Sequence, residues 1–203
     1  MKRFRITLLV ICLVLIFLGG SDLQLFFRNP QPMPVKVAEL EQQVPKQEWL
    51  AIREGHYNLL EAISTSGSVE VNAFLIPLKT SPDAKDYRVL VETRKPQIVD
   101  ALKFYHFKLE TDLEKQKYLE DHRKLFFGQR EVTGMVMSGL IGRNNRNRLA
   151  KLSKDYGIEV PEDVIFFTEG KVPAKFRGFF FVGVALLGLV KLATTWRKRR
   201  QPV

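Results

Sequence analysis

The side chains best placed to do chemistry in this chain are a run of cations. Arg143, Arg146, Arg148, Lys151 and Lys154 occur with no acidic residue among them. Guanidinium forks and ammonium groups gathered in this way bind phosphate or carboxylate. The segment is therefore expected to contact anionic lipid headgroups or an acidic partner. A solvated loop and helix surface accounts for the same residues without any ligand.

Other chemistries find less to build on. The three histidines, His56, His106 and His122, form neither H-x-x-x-H nor H-E-x-x-H, the spacings that turn two imidazoles toward one metal. His106 and His122 lie among acidic residues in a helical region, where a solvated face is the simpler reading. Ser64, Ser66 and Ser68 flank Gly67, but this is ordinary turn composition and not a strained nucleophile elbow. Gly134, Gly139 and Gly142 do not have the spacing of a phosphate loop. The one cysteine, Cys12, sits in an apolar stretch and reads as a small hydrophobe. The sequence thus assigns no catalytic residue, no metal ligand and no cofactor site.

Charge is distributed in a way that decides between partners. The formal net charge is +10, a value that by itself would suggest nucleic acid. Yet Lys2, Arg3, Arg5, Lys191, Arg197, Lys198, Arg199 and Arg200 flank or end two apolar stretches. Without them 24 basic residues face 22 acidic ones. The excess is a membrane-flank signal, and nucleic acid is not an expected partner.

Those apolar stretches organise the chain. Residues 1–27 begin with Lys2, Arg3 and Arg5 and run apolar from Ile6 to Leu18, which reads as a signal-anchor transmembrane helix. Small residues at Gly19 and Gly20 follow Phe17 and Leu18, a poor context for cleavage of a leader. Residues 178–196 form the second span, long enough at about 1.5 Å per residue to cross roughly 30 Å of hydrocarbon. The basic tail 197–203, with Arg197, Lys198, Arg199 and Arg200, follows it. The positive-inside rule then places both termini in the cytoplasm and the middle outside it, in a bacterial inner membrane facing the periplasm. Lys171, Lys175 and Arg177 before the second span weigh against this.

Residues 28–34 carry Pro30, Pro32 and Pro34 and read as an extended linker. Residues 35–177 are expected to form one α+β domain with about seven short strands. The strand candidates are Val35–Leu40, Glu48–Glu54, Tyr57–Ile63, Val71–Leu78, Tyr87–Thr93, Glu131–Ser138 and Val164–Thr168. Pro77 places the end of the fourth near a sheet edge or strand terminus. A helical insertion spans about 97–127, opened by Pro96 at a first helical turn, with Glu120 and Lys124 spaced to pair. Leu149–Tyr156 reads as a further short helix. This pattern suggests a small, mainly antiparallel sheet or partly open barrel with packed helices, an OB-like barrel being one version.

The functional expectation is a membrane-tethered, non-catalytic protein. Its extracytoplasmic domain would bind another membrane or envelope protein, and the bilayer would be its other partner. The alternatives are a membrane-bound enzyme acting on lipid-linked or envelope substrates, and a lipid- or small-ligand-binding module.

Overall fold

The computed structural model describes residues 2–43, 45–64, 73–137 and 163–197. The chain divides into two compact units, Met1–Pro30 with Pro173–Val203, and Gln31–Val172.

The first unit consists of helices α1 (Lys2–Arg28) and α6 (Lys175–Arg197). Phe4–Arg28 and Lys175–Thr194 are each long and apolar enough to cross a membrane. Only 11% of either apolar window is buried, so the helices leave most of their Leu, Val, Ile and Phe side chains uncovered. They run antiparallel, with Gly178 beside Leu23 and Gly188 beside Cys12. Asn29 ends α1 by donating from its backbone and from Nδ2 to the Leu25 carbonyl, the latter at 2.9 Å, one of the acceptors a helix terminus leaves open. α6 starts one turn earlier than the hydropathy suggests, so Lys175 and Arg177 belong to the helix rather than to the connector.

The second unit is built on seven strands: β1 (Met33–Lys36), β2 (Trp49–Tyr57), β3 (Ile63–Ser64), β4 (Phe74–Lys79), β5 (Val89–Thr93), β6 (Gln129–Val136) and β7 (Ile165–Glu169). Their order is β1-β2-β6-β7-β5-β4-β3, and an additional β2–β4 pairing joins two non-neighbours. The five strands β2, β6, β7, β5 and β4 therefore close into a barrel. The pairing is mixed, with β1–β2 and β5–β7 parallel and the rest antiparallel. The barrel is thus closed, where the sequence suggested a mainly antiparallel sheet or a partly open barrel.

Alternation along each strand sets the core. Leu50 and Ile52 of β2, Phe74, Ile76 and Leu78 of β4, Val89 and Val91 of β5, Val132 of β6, and Ile165 and Phe167 of β7 share one buried cluster. Helix α2 (Val37–Gln42) adds Val37 and Leu40, helix α3 (Pro96–Phe107) adds Ile98, Val99, Ala101 and Leu102, and α5 (Arg123–Phe127) adds Phe126. A second, smaller cluster of Leu75, Leu90, Val164 and Phe166 uses the opposite faces of β4, β5 and β7. That is why β4 is buried at every position.

Several local expectations are revised. Val35–Leu40 is not one strand, because the chain turns into α2 at Val37. Gly55 does not separate two strands. β2 runs through it with a register shift between Ile52 and Gly55, and Glu54 takes a left-handed conformation at φ 59°. After Tyr57 the chain forms a single 3-10 turn, Leu59–Glu61, before β3. Pro77 lies inside β4, yet it falls between the residues paired with β3 (Phe74, Leu75) and those paired with β2 (Leu78, Lys79). No ladder is needed on that side, which is where a strand tolerates proline. The helical insertion is α3, α4 (Asp112–Asp121) and α5; a break at His122 separates Glu120 from Lys124. Glu120 instead accepts a hydrogen bond from Gln116 Nε2 at 3.3 Å. The expected helix Leu149–Tyr156 lies outside the described residues.

At Gly134 β6 leaves no room for a side chain against β7. A Cβ there would stand 2.1 Å from the Thr168 carbonyl oxygen and 2.9 Å from the Phe167 ring. Gly134→Ala is expected to push β6 from β7 and lower stability. Phe167→Ala, which empties the centre of the barrel, should cost about 3–5 kcal/mol. Urea unfolding of the full chain in detergent, followed by circular dichroism, checks both; wild-type midpoints for either variant would contradict this packing.

Candidate functional site

The inward phase of three strands ends in polar residues. β5 reads Val89, Val91, Thr93, and β7 reads Ile165, Phe167, Glu169, at alternate positions. On β6, Arg130 precedes Val132 at the same spacing. β2 contributes Tyr57, which is buried in the core. These four side chains form a polar cluster where the apolar filling of the barrel stops.

Glu169 is its centre, with only 4% of its side chain exposed. Lys95 Nζ lies 2.7 Å from its Oε1, and Thr93 Oγ1 donates to Oε2 at 2.5 Å. Both carboxylate oxygens are therefore held, which offsets the cost of burying the charge. The Arg130 guanidinium carbon stands 5.5 Å from the centroid of the Tyr57 ring, in cation–π range. Arg130 also donates from Nη2 to the Leu125 carbonyl at 3.1 Å. The Tyr57 hydroxyl and Arg130 Nε are buried and make no hydrogen bond among the described residues. Burial pushes the Tyr57 hydroxyl well above its ordinary pKa, the Glu169 carboxylate adds to the rise, and Arg130 opposes it. At neutral pH the arrangement is a fixed ion pair beside a neutral phenol. It can hold the barrel end together and present Arg130 to the surface.

Two shallow depressions flank the barrel. One, of about 880 Å³, is lined by His122, Arg123, Leu125, Phe127, Gly128 and Arg130. The other, of about 600 Å³, is lined by Leu60, Glu61, Ile63, Pro77, Lys79 and Tyr87. Lys79 is buried and pairs with Glu61 Oε1 at 2.6 Å. The same oxygen accepts from Asn58 Nδ2 at 2.8 Å, so the pair ties the 3-10 turn to β4. Among the described residues no group of three His, Cys, Asp or Glu side chains converges as a metal site would require.

The remaining feature is the α3–α4 arm. Helix α4 starts with a complete capping box: the Glu114 backbone N–H donates to Thr111 Oγ1, and Glu114 Oε2 accepts from the Thr111 backbone N–H. That backbone bond, then the bond with the Thr111 side chain, lowers the Glu114 pKa. No residue of α4 is fully buried. It is attached through Tyr118, whose ring lies 5.1 Å from Phe104, 4.1 Å from His122 and 6.0 Å from Phe126. Around the turn between the helices, Phe107 is 69% and Leu113 80% exposed. His106, beside Phe107, has its pKa lowered by partial burial and by Lys115.

The expected anion-binding residues Arg143, Arg146, Arg148, Lys151 and Lys154 lie outside the described residues. So do Ser66 and Ser68, Gly139 and Gly142, and the tail residues Lys198, Arg199 and Arg200. Lys2, Arg3 and Arg5 belong to the first turns of α1, and Arg197 closes α6. Ser64 lies in β3 and Gly134 in β6, on strands that do not adjoin. The Thr93–Glu169–Lys95 cluster was missed by sequence reasoning. Its only signal was the phase of Thr93 and Glu169 with the apolar residues two and four positions before each. Comparisons with protein-family models, with curated proteins and with solved structures gave no match to this chain.

The Tyr57 environment predicts an alkaline limit to stability. A pKa raised on folding leaves stability whole below the unfolded value of about 10 and removes it as pH rises beyond that. Urea titrations between neutral and strongly alkaline pH should show this loss, and Tyr57→Phe should lessen it. Identical pH dependence in wild type and Tyr57→Phe would contradict the burial of the hydroxyl.

Proposed function

We propose that this chain is a two-pass membrane protein whose barrel domain works by binding another membrane or envelope protein. Both termini lie in the cytoplasm and the domain lies outside it. The observation that carries the reading is the α3–α4 arm. Phe107 and Leu113 are the most exposed large apolar side chains of the barrel domain among the described residues. Leu113 stands on α4, which a capping box starts and Tyr118 attaches, and Phe107 ends α3 on the other side of the turn. Aromatic and aliphatic side chains displayed on an otherwise polar element are the usual centre of a protein contact. The cations Arg143, Arg146, Arg148, Lys151 and Lys154 are proposed to meet acidic groups of that partner or lipid headgroups beside it.

A second reading, binding of a small anionic ligand or lipid, is favoured by one observation, the depression beside the buried Lys79.

Photocrosslinking from positions 107 and 113 in intact membranes, followed by purification in mild detergent, tests the first reading. A stoichiometric partner should be captured. Phe107→Ser with Leu113→Ser should lose it, while Leu60→Ser on the other depression should keep it. Recovery of this chain alone from both positions would sink the proposal. Reporter fusions test the topology: one at residue 100 should report the far side of the membrane, and one after the tail the cytoplasm.

A further inference from the structure

The contacts between α1 and α6 exceed what two independent anchors need. At one end Arg177 donates to Asp22 through two nitrogens, Nε to Oδ2 at 2.7 Å and Nη2 to Oδ1 at 2.8 Å. Lys175 Nζ lies 5.1 Å from the Phe26 ring beside it. Asp22 is the only acidic residue in either helix. One turn deeper, a Cβ on Gly19 would stand 2.9 Å from the Gly178 carbonyl oxygen. Further along, a Cβ on Gly188 would stand 2.5 Å from Cys12 Sγ. Cys12 is 2% exposed and Ala185 is fully covered, although most of both helices is bare.

Lipid removes the hydrophobic drive for helix pairing, so close backbone approach at small residues and well-placed polar pairs must supply it. Here both occur on one seam. A carboxylate in an apolar helix is costly unless it is paired, and Arg177 pairs Asp22 in bidentate geometry. Removal of a leader at Gly19 or Gly20, the small residues where cleavage would fall, would delete Cys12. It would leave Asp22 next to a new, charged chain end. The covered faces of Ala185 and Gly188 would then turn to lipid.

We infer that α1 is retained in the mature protein as the permanent half of an intramolecular transmembrane hairpin, with Asp22–Arg177 as its clamp. The inference rests on reading both helices as membrane spans. It makes the N-terminal segment a structural partner of α6 rather than a removable address.

The single native cysteine makes the test direct. Gly188→Cys, introduced into the full chain, places a second thiol against Cys12. Membranes are oxidised with copper phenanthroline, denatured, and the free thiols are counted by their gel shift with a maleimide-linked polyethylene glycol. Two thiols after reduction and none after oxidation, with the protein still monomeric on the gel, is the expected result. Gly183→Cys, where a Cβ finds no neighbour within 4 Å, should keep both thiols free as a monomer. One thiol after reduction would mean that Cys12 has been removed, and the inference fails. Two thiols that stay free after oxidation, or that oxidise only into dimers, would also overturn it. Asp22→Arg in the Gly188→Cys background should lose the cross-link, and adding Arg177→Asp should restore it. The intact mass of the unsubstituted purified protein reads the same question without any mutation: it should include the residues before Ser21. Loss of the partner with the cross-link intact would sink the interaction reading and leave the hairpin standing.

Discussion

The barrel depends on two residue pairs, His56 opposite Lys79 and Tyr57 opposite Leu78. Without them the seven strands would be an open sheet whose inner face needs another cover. With them, β2 and β4 become neighbours, and the side chains of five strands fill one interior. The closure also explains the register shift in β2. A strand that pairs with β6 along most of its length must bend to reach β4, and the irregularity at Glu54 and Gly55 supplies the bend. What remains outside the circuit is small. β1 carries Pro34 and follows Pro32, and β3 has two residues, so neither edge invites further strand pairing.

Closure also creates the need for polar residues. A small barrel tapers toward its ends, where side chains meet solvent or cover. Thr93 and Glu169 end their strands there, and Lys95 supplies the countercharge from just beyond β5. The Lys79–Glu61 pair has a parallel job on the outer face, where it fastens the only 3-10 turn among the described residues. Both pairs sit at the seams between elements rather than at the bottom of a deep cleft.

Much of this was legible from periodicity, and the failures have physical causes. The apolar helices, the strands from Phe74 to Lys79 and from Val89 to Thr93, and the Pro96 helix start follow from local pattern. Closure does not, because a β2–β4 contact of two residues leaves no trace in either strand's composition. The joining of β1 to α2 at Val37 was hidden because Val35 and Val37 alternate as in a strand, while Val37 and Leu40 are spaced as on a helix face. Asp22 and Arg177 looked like ordinary flanking residues, since nothing local indicates that they meet across 155 positions of sequence. The basic run from Arg143 to Lys154 was the plainest chemical signal in the sequence, and it falls outside the described residues. The candidate site therefore rests on the arm, which the sequence showed only as a helical insertion, and on the barrel-end cluster, which it did not single out.

The position of β7 sets the order in which this protein can mature. β7 lies between β6 and β5, and pairs with both, yet it is nearly the last part of the domain to be synthesised. Until it arrives, β5 and β6 have no common neighbour, and the interior faces of both remain open. The parallel β5–β7 pair joins residues some 76 positions apart, from Val89 to Ile165, a separation that makes barrel assembly a slow, late event. Only the short segment from Gly170 to Ala174 then separates the end of β7 from α6. In the two-pass reading proposed above, the second apolar helix would emerge at about the time its domain first becomes able to fold, and folding and membrane insertion would then share the same brief interval of synthesis.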